Sequence, residues 1–127
     1  MSEKATIILS TFPSERAATI VAKKLIDSNL CACVNFTRIR SIYTWKGKLE
    51  DQQEFIALFK ATKNSSEKLK SAIASMHPYE VPEIIELRIS DVSKSYLSWL
   101  SRESANGIAK KRHNATKRGN AQTNVGR

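Results

Sequence analysis

The sequence predicts an α+β protein, a ferredoxin-like βαββαβ sandwich with one further helix at its C-terminal end. Apolar segments with a period of two residues and segments with helical spacing follow each other in the order strand, helix, strand, strand, helix, strand, helix. A glycine turn joins the two middle strands, and capping residues precede the helices. The chain of 127 residues leaves room for one domain of ordinary size.

The first strand is predicted over residues 5–11, where apolar side chains alternate. Ser14 is a typical helix N-cap, and Glu15 in the first turn suits the helix dipole. Apolar side chains then recur with helical spacing on one face, at Ala17, Val21 and Leu25. We expect this helix to end near Asn29, because asparagine tolerates the left-handed conformation found after helix ends.

An extended region follows from Cys31 to about Trp45. Its alternation is interrupted at residues 37–40, which predicts a bulge or bend there. Gly47 can adopt the positive φ that tight hairpin turns require, so the next strand is predicted as its hairpin partner, over residues 48–62.

The second helix is predicted to begin at Asn64, with Glu67 as its capping-box partner. Its apolar stripe consists of Leu69, Ala72, Ile73 and Met76. Two prolines in residues 77–82 end this helix. Residues 83–90 form the last predicted strand, and Ser93 caps a short third helix.

The charge is unevenly distributed along the chain. Residues 104–127 contain six of the 21 lysines and arginines and no acidic residue. We therefore predict a domain over residues 1–103 and a disordered, solubilising basic tail over residues 104–127. The alternative is a tail that binds nucleic acid or another acidic surface.

The composition also bears on where the protein acts. No apolar run is long enough for a membrane span, and the N-terminus lacks the pattern of a signal peptide, so no membrane partner is expected. Two cysteines are too few for a disulfide framework. We expect a reducing, cytoplasmic location.

Both faces of the predicted sheet are apolar. On the third strand, Phe55, Ala57 and Phe59 alternate with Ile56 and Leu58. Helices cover only one face in this fold, so a monomer would show polar residues on the other. We therefore expect the second face to be buried against other copies of the chain. The alternative is that the third helix or the loop after Cys33 covers it.

Four segments resemble the CutA divalent-ion tolerance family. They are Cys31-Ala-Cys-Val-Asn35, Ser41-Ile-Tyr-Thr-Trp-Lys-Gly-Lys-Leu-Glu50, His77-Pro-Tyr-Glu-Val-Pro-Glu-Ile-Ile85 and Tyr96-Leu-Ser-Trp-Leu100. The resemblance extends from residue 5 to about residue 102. It implies a homotrimer similar to the PII signalling proteins and a cytosolic role in tolerance of copper and other divalent cations. No organic cofactor is implied.

The resemblance also indicates metal ligands. Copper-binding members carry a cysteine late in the first strand and a His-His pair before Pro-Tyr, whereas this chain has Ser10 and Met76-His77. His77 is therefore the principal candidate ligand for copper or another divalent cation. Met76, Cys31 and Cys33 are weaker candidates, because core packing is the better explanation for such soft or small apolar side chains. Cysteines two apart on a strand would direct both thiols to the same side.

A second candidate site is a ligand pocket at the proline-flanked loop. Prolines stiffen the loop and hold its polar side chains in place. The predicted pocket consists of Tyr43, Trp45, Lys46, Lys60, Tyr79 and Glu80. Such a mixed aromatic and charged pocket would suit a small anion or a metal complex. Alternatively, Tyr79 and Glu80 only form hydrogen bonds across the trimer.

The predicted function is a trimeric CutA-type divalent-cation tolerance protein, with a regulatory or protective role. One alternative is a PII-like trimer that signals or acts as a scaffold through a small ligand, without physiological metal binding. Another is a nucleic-acid-binding module that uses the basic tail, although residues 54–59 lack the RNA-binding signature of this strand order. We do not expect an enzyme, either one with Cys33 as a nucleophile paired with His77 or one with Glu80 as a general base. No supporting catalytic motif is present.

Overall fold

A four-stranded antiparallel sheet with three helices forms the protein. The computed structural model describes residues 3–104. The elements are β1 (Ala5–Phe12), α1 (Glu15–Asp27), β2 (Cys33–Trp45), β3 (Lys48–Thr62), α2 (Ser66–Met76), β4 (Ile84–Arg88) and α3 (Lys94–Glu103). The strands lie in the order β2-β3-β1-β4. The predicted α+β class and order of elements are confirmed.

Short-range side-chain contacts determine where two of the helices begin. Ser14 Oγ accepts a hydrogen bond of 3.1 Å from the Ala17 amide at the start of α1. Ser93 Oγ accepts one of 3.4 Å from the Tyr96 amide at the start of α3. After α1, Asn29 has a φ of 59°, so the chain leaves the helix through the left-handed conformation.

The hairpin of β2 and β3 is continuous, and the bulge predicted at residues 37–40 is wrong. Residue pairs follow one register from Cys33 opposite Lys60 to Trp45 opposite Lys48. The apolar alternation stops in this region because the hairpin extends beyond β1, whose pairing with β3 ends at Phe55. Beyond β1, no other element among the described residues covers a face of the hairpin in the single chain, so apolar side chains are not required on it.

The second helix begins later than predicted. A single 3₁₀ turn, Lys63–Ser65, precedes α2, and the capping box at Asn64 is not formed. Asn64 Nδ2 instead donates a 3.0 Å hydrogen bond to Glu3 Oε1. A contact from the other end of the chain therefore uses the side chain that would have capped the helix.

The core lies between α1, α2 and one face of the sheet. Its fully buried large side chains are Ile8, Phe12, Phe59, Leu69 and Ile73. The opposite face, which we call the open face, carries Ile7, Leu9, Ile56, Leu58, Ile85 and Leu87. Although α3 contacts β3, Ile85 and Leu87 remain 43% and 38% exposed, so this helix does not cover the β4 part of the open face.

The boundary predicted after residue 103 falls next to Ser104, the last residue that the structure describes. Ser104 is buried, and its carbonyl accepts a hydrogen bond of 3.4 Å from Ser65 Oγ. Asn29 Nδ2 donates one of 3.2 Å to the carbonyl of Glu103. These contacts hold the end of α3 against the rest of the domain. The remainder of the predicted basic tail lies outside the described residues.

A carboxylate on β4 ties four elements together. Glu86 accepts hydrogen bonds from Thr6 Oγ1 at 2.7 Å, Lys63 Nζ at 3.0 Å and Lys70 Nζ at 2.9 Å. These donors, with the Lys70 bond first, lower the pKa of Glu86 from 4.5 to about 2. The ionised form is therefore the form that stabilises the folded chain.

We expect Glu86 to make folding sensitive to acid. A lowered pKa gives stability that is complete above pH 4.5 and is lost as the pH falls toward 2. Glu86→Gln should lower the free energy of unfolding by about 1–2 kcal/mol at pH 7, after allowance for solvent screening. The deficit should disappear in acid. Urea denaturation at several pH values measures it, with Asp91→Asn as control, because Asp91 is exposed and lies outside the Glu86 network.

Candidate functional site

A cleft lies where the β2–β3 hairpin extends beyond β1. Its volume is about 750 Å³, within the range of small-molecule sites. The hairpin forms one wall, and the proline-flanked segment after α2 forms the other. The lining residues are Thr11, Ser41, Ile42, Tyr43, Trp45, Glu54, Pro78, Tyr79, Glu80, Val81 and Glu83.

Strand register determines which hairpin side chains reach the cleft. Ile39 pairs with Glu54 and Tyr43 with Glu50, so the alternation of β2 and β3 directs Tyr43, Trp45 and Glu54 to the same side of the hairpin. That side continues the open face of the sheet. The cleft is therefore an extension of the apolar surface toward the tip of the hairpin.

One hydrogen bond joins the two walls of the cleft. Tyr79 Oη donates to Glu54 Oε2 at 2.5 Å. Burial, followed by this bond to the carboxylate, raises the pKa of Tyr79, so the phenol keeps its proton at neutral pH. Burial also raises the pKa of Tyr43, with further contributions from Glu54 and Glu50.

The lining is acidic and aromatic. It includes three carboxylates, of Glu54, Glu80 and Glu83, and three aromatic rings, of Tyr43, Trp45 and Tyr79. Glu54 is only 7% exposed, whereas Glu80 and Glu83 lie at the exposed rim. None of the described lining residues is basic. Such a cleft attracts positive charge and repels anions.

His77 is held in place by contacts to both ring nitrogens. Nδ1 accepts a 3.2 Å hydrogen bond from the Tyr79 amide, so the neutral ring carries its proton on Nε2. Nε2 then donates to the Thr11 carbonyl at 2.9 Å and lies 3.2 Å from Ser10 Oγ. The ring also stacks on Phe12 with centroids 4.4 Å apart. Burial lowers the pKa of His77, which favours this neutral state.

This arrangement does not fit the predicted metal-binding role of His77. A metal needs a lone pair on a ring nitrogen, and here the Nδ1 lone pair accepts from a backbone amide while Nε2 holds a proton. Ser10, at the position where the resemblance places a cysteine, does lie beside His77. Ser10 and His77, the positions that the resemblance marks as metal ligands, are therefore joined by a hydrogen bond.

The weaker candidate ligands are also separated. Met76 packs partly buried against the core. Cys31 precedes β2 and is fully buried in the core, and burial raises the pKa of its thiol to about 12. Cys33 lies half-exposed on the open face, with Sγ 3.6 Å from Asn35 Oδ1. The two thiols therefore do not share a side. Among residues 3–104, no group of three or more histidine, cysteine or acidic side chains could hold a metal ion.

The structure places four of the six predicted pocket residues at the cleft: Tyr43, Trp45, Tyr79 and Glu80. The two lysines do not line it. Lys46 is in the hairpin turn, with Nζ 5.6 Å from the centre of the Trp45 ring. Lys60 pairs with Ile7 and Cys33, about 20 Å along β3 from Glu54.

Two further acidic residues at the cleft, Glu54 and Glu83, were not predicted from the sequence. Glu54 comes directly before the apolar run of β3, and this position was the signal in the sequence that could have indicated it. The Cys33 and His77 pair considered for catalysis is not formed, because Cys33 lies near Lys60 and His77 contacts Ser10 and Thr11.

No helix among the described residues is long and apolar enough to cross a membrane.

Comparison with known proteins gives a consistent result. Residues 6–103 match the family model described as CutA1 divalent ion tolerance protein. The divalent-cation tolerance protein CutA of Thermus thermophilus is 42% identical over 95 residues, covering 74% of this chain and 92% of that protein. The CutA protein of Thermotoga maritima is 40% identical over 94 residues, covering 74% and 93%. The crystal structure of CutA1 from Pyrococcus horikoshii superposes with a TM-score of 0.76 at 38% identity, covering 78% of this chain and 97% of that chain.

Proposed function

The chain belongs to the CutA1 divalent ion tolerance family, and on this basis we propose that it acts in divalent-cation tolerance as a homotrimeric, non-catalytic binding protein. The link to divalent cations comes from the family. A cytoplasmic location suits the two free cysteines. The observation that carries the proposal is the acidic cleft beside an uncovered apolar face.

The open face supports self-association. Leu9 pairs with both Leu58 and Ile85, and Ile7 pairs with Leu87, so apolar side chains form a continuous patch across three strands. Soluble monomers seldom leave such patches in water. A closed symmetric assembly would bury the patch on every copy. The proposal of three copies follows the resemblance to PII-like trimers.

We place the cation at the cleft carboxylates. His77 lacks a free lone pair, whereas Glu80 and Glu83 at the rim offer carboxylate oxygens, which hard cations prefer. Because no three such groups converge within residues 3–104, the ion binds one or two carboxylates and takes its other ligands from water. This donor set favours a hard divalent cation over copper, for which nitrogen and sulfur ligands are more usual. An ion at the exposed rim keeps part of its water shell.

The acidic lining also separates this proposal from its alternatives. A PII-like trimer that recognises a phosphorylated small ligand would need basic groups at the site, and none of the described lining residues is basic. The nucleic-acid alternative depends on the basic tail, most of which lies outside the described residues.

Two measurements on the full chain test the proposal. Sedimentation equilibrium should give three times the mass of the 14.2 kDa chain. Calorimetric titration should show Mn²⁺ binding that is at least fivefold weaker in a Glu80→Gln/Glu83→Gln variant and unchanged in Glu67→Gln, which lies outside the cleft. A monomeric chain, or Mn²⁺ affinity that does not depend on the rim glutamates, would contradict it.

A further inference from the structure

The chain leaves the described domain at one defined place. Ser104, after which the basic tail continues, is buried, and its carbonyl accepts a hydrogen bond of 3.4 Å from Ser65 Oγ, just before α2. The preceding carbonyl, of Glu103, accepts one of 3.2 Å from Asn29 Nδ2, just after α1. The rest of the tail therefore starts between the last turn of α1 and the first turn of α2.

This end of the domain, which we call the basic end, carries several exposed cations that have no ion-pair partner among residues 3–104. They precede β1, lie near the ends of α1 and α3, and lie in the first turn of α2: Lys4, Lys23, Lys24, Lys68 and Arg102. Lys63 and Lys70 are paired with Glu86 and Glu67. The remaining carboxylates here are those of Glu3, Asp27 and Glu103. The basic end therefore has an excess of positive charge.

The two ends of the domain differ in the sign of their charge. The cleft end, where β1 stops and the hairpin continues, carries the carboxylates of Glu54, Glu80 and Glu83. The basic tail, which has six lysines and arginines and no acidic residue, begins at the basic end. Like charges gathered at one end repel one another, and a polyanion that binds there relieves this repulsion.

The composition of the tail determines which kind of polyanion fits. Its cations form two clusters, Lys110-Lys111-Arg112 and Lys117-Arg118. Side-chain amides, which hydrogen-bond to phosphate and sugar oxygens, accompany the clusters at Asn114, Asn120, Gln122 and Asn124. The sizeable apolar side chains of the tail are only Ile108 and Val125. Basic segments that bind lipid surfaces also insert apolar side chains, whereas a nucleic acid requires none.

The basic end remains accessible when copies of the chain associate through the open face. Lys24 and Lys68 belong to α1 and α2, which pack on the opposite face of the sheet. Both side chains are exposed in the single chain. An assembly that covers the open face therefore leaves these two cations in contact with solvent.

We propose that the basic tail and the basic end together bind the phosphate backbone of a nucleic acid, without reading its sequence. The lysine and arginine side chains displace condensed counterions from the phosphates, and the tail amides donate hydrogen bonds to phosphate oxygens. Lys24 and Lys68 extend the contact from the tail onto the folded domain. This activity is additional to the proposed function and uses neither the cleft nor a metal ion.

Neutralising the tail tests the proposal. We would measure binding of the full chain to a labelled single-stranded RNA by fluorescence anisotropy at several salt concentrations. The six tail cations alone should give log affinity against log salt a slope of about −4. In the variant Lys110→Gln/Lys111→Gln/Arg112→Gln/Lys117→Gln/Arg118→Gln, the affinity at low salt should fall at least about thirtyfold, and the slope should become shallower by about 3.

The matched control exchanges lysine and arginine at the same positions and keeps every charge. This variant, Lys110→Arg/Lys111→Arg/Arg112→Lys/Lys117→Arg/Arg118→Lys, should bind within about threefold of the unmodified chain, because backbone contacts depend on charge. RNA affinity that survives neutralisation of the tail would overturn the inference. So would the absence of RNA binding at low salt, which would leave the tail as a solubilising segment.

A second pair of variants tests the part that the folded domain plays. Lys24→Gln/Lys68→Gln should weaken RNA binding about threefold and make the salt slope shallower by about 1. The control, Arg16→Gln/Arg38→Gln, removes the same charge from exposed positions near the cleft end and should leave the slope unchanged. Equal effects of the two variants would refute the role of the basic end.

Two further probes define the ligand. Single-stranded DNA of the same sequence should bind within about threefold of the RNA, because both present the same backbone charge. A tenfold preference for one of them would contradict recognition through phosphates alone. Tighter binding to phosphatidylserine vesicles than to RNA would overturn the nucleic-acid assignment. None of these outcomes depends on oligomeric state or on Mn²⁺, so the inference and the proposed function can fail separately.

Discussion

A Leu87→Asp variant should remain folded but lose the ability to self-associate. Leu87 lies on the open face opposite Ile7 and is 38% exposed in the single chain, so an aspartate there remains hydrated in a monomer. In an assembly that covers this face, the carboxylate would be buried without a partner, at a cost of several kcal/mol per subunit. We expect association to weaken at least 100-fold, as measured by sedimentation velocity over a dilution series.

The control for this variant is Ile20→Asp. Ile20 is also an exposed apolar residue, 51% exposed, but it lies on α1 and not on the open face. This variant should sediment like the unmodified chain. If Leu87→Asp kept the mass of the assembly, the open face would not be the interface.

A His77→Ala variant should be strongly destabilised while its affinity for copper stays the same. Removing the imidazole deletes the ring stacked on Phe12 and leaves the Thr11 carbonyl and the Tyr79 amide without their partner. Cavity formation and unsatisfied polar groups together should lower the free energy of unfolding by about 2–4 kcal/mol. Urea denaturation measures this loss.

Copper titration of the same variant separates the structural role from the metal role. Because neither ring nitrogen offers a lone pair, calorimetric Cu²⁺ affinity should be within twofold of the unmodified chain. His77→Gln, which can replace one hydrogen bond but not the ring, should be destabilised by a smaller amount. A variant that keeps its stability and loses Cu²⁺ binding would restore His77 as a metal ligand.

Features that depend on neighbouring residues were predictable from the sequence. The caps at Ser14 and Ser93 and the left-handed Asn29 follow from local side-chain chemistry. The hairpin turn does so too, since Lys46 and Gly47 have φ values of 51° and 79° and together form the tight turn expected. The family segments and four of the six pocket residues were likewise available from short motifs.

Features that depend on distant residues were not predictable. The bond from Asn64 to Glu3 displaces the expected helix start, and its partners lie 61 residues apart. His77 is a plausible ligand by residue type, and only its contacts with Thr11 and Tyr79 use up its lone pair. Lys60 has a suitable charge but lies on β3 far from the cleft, a distance that follows from strand register and not from composition.

The length of β3 has a consequence for solubility. Beyond Phe55, β3 has no strand partner on its β1 side among the described residues, so one backbone edge of Lys48–Glu54 is unpaired in the single chain. An unpaired edge can recruit foreign strands and start fibre-like aggregation. Apart from Leu49, charged and polar side chains occupy this stretch, and they oppose such recruitment by repulsion and hydration. Concentrated salt screens the repulsion, so dilute buffers are the safer storage conditions for this protein.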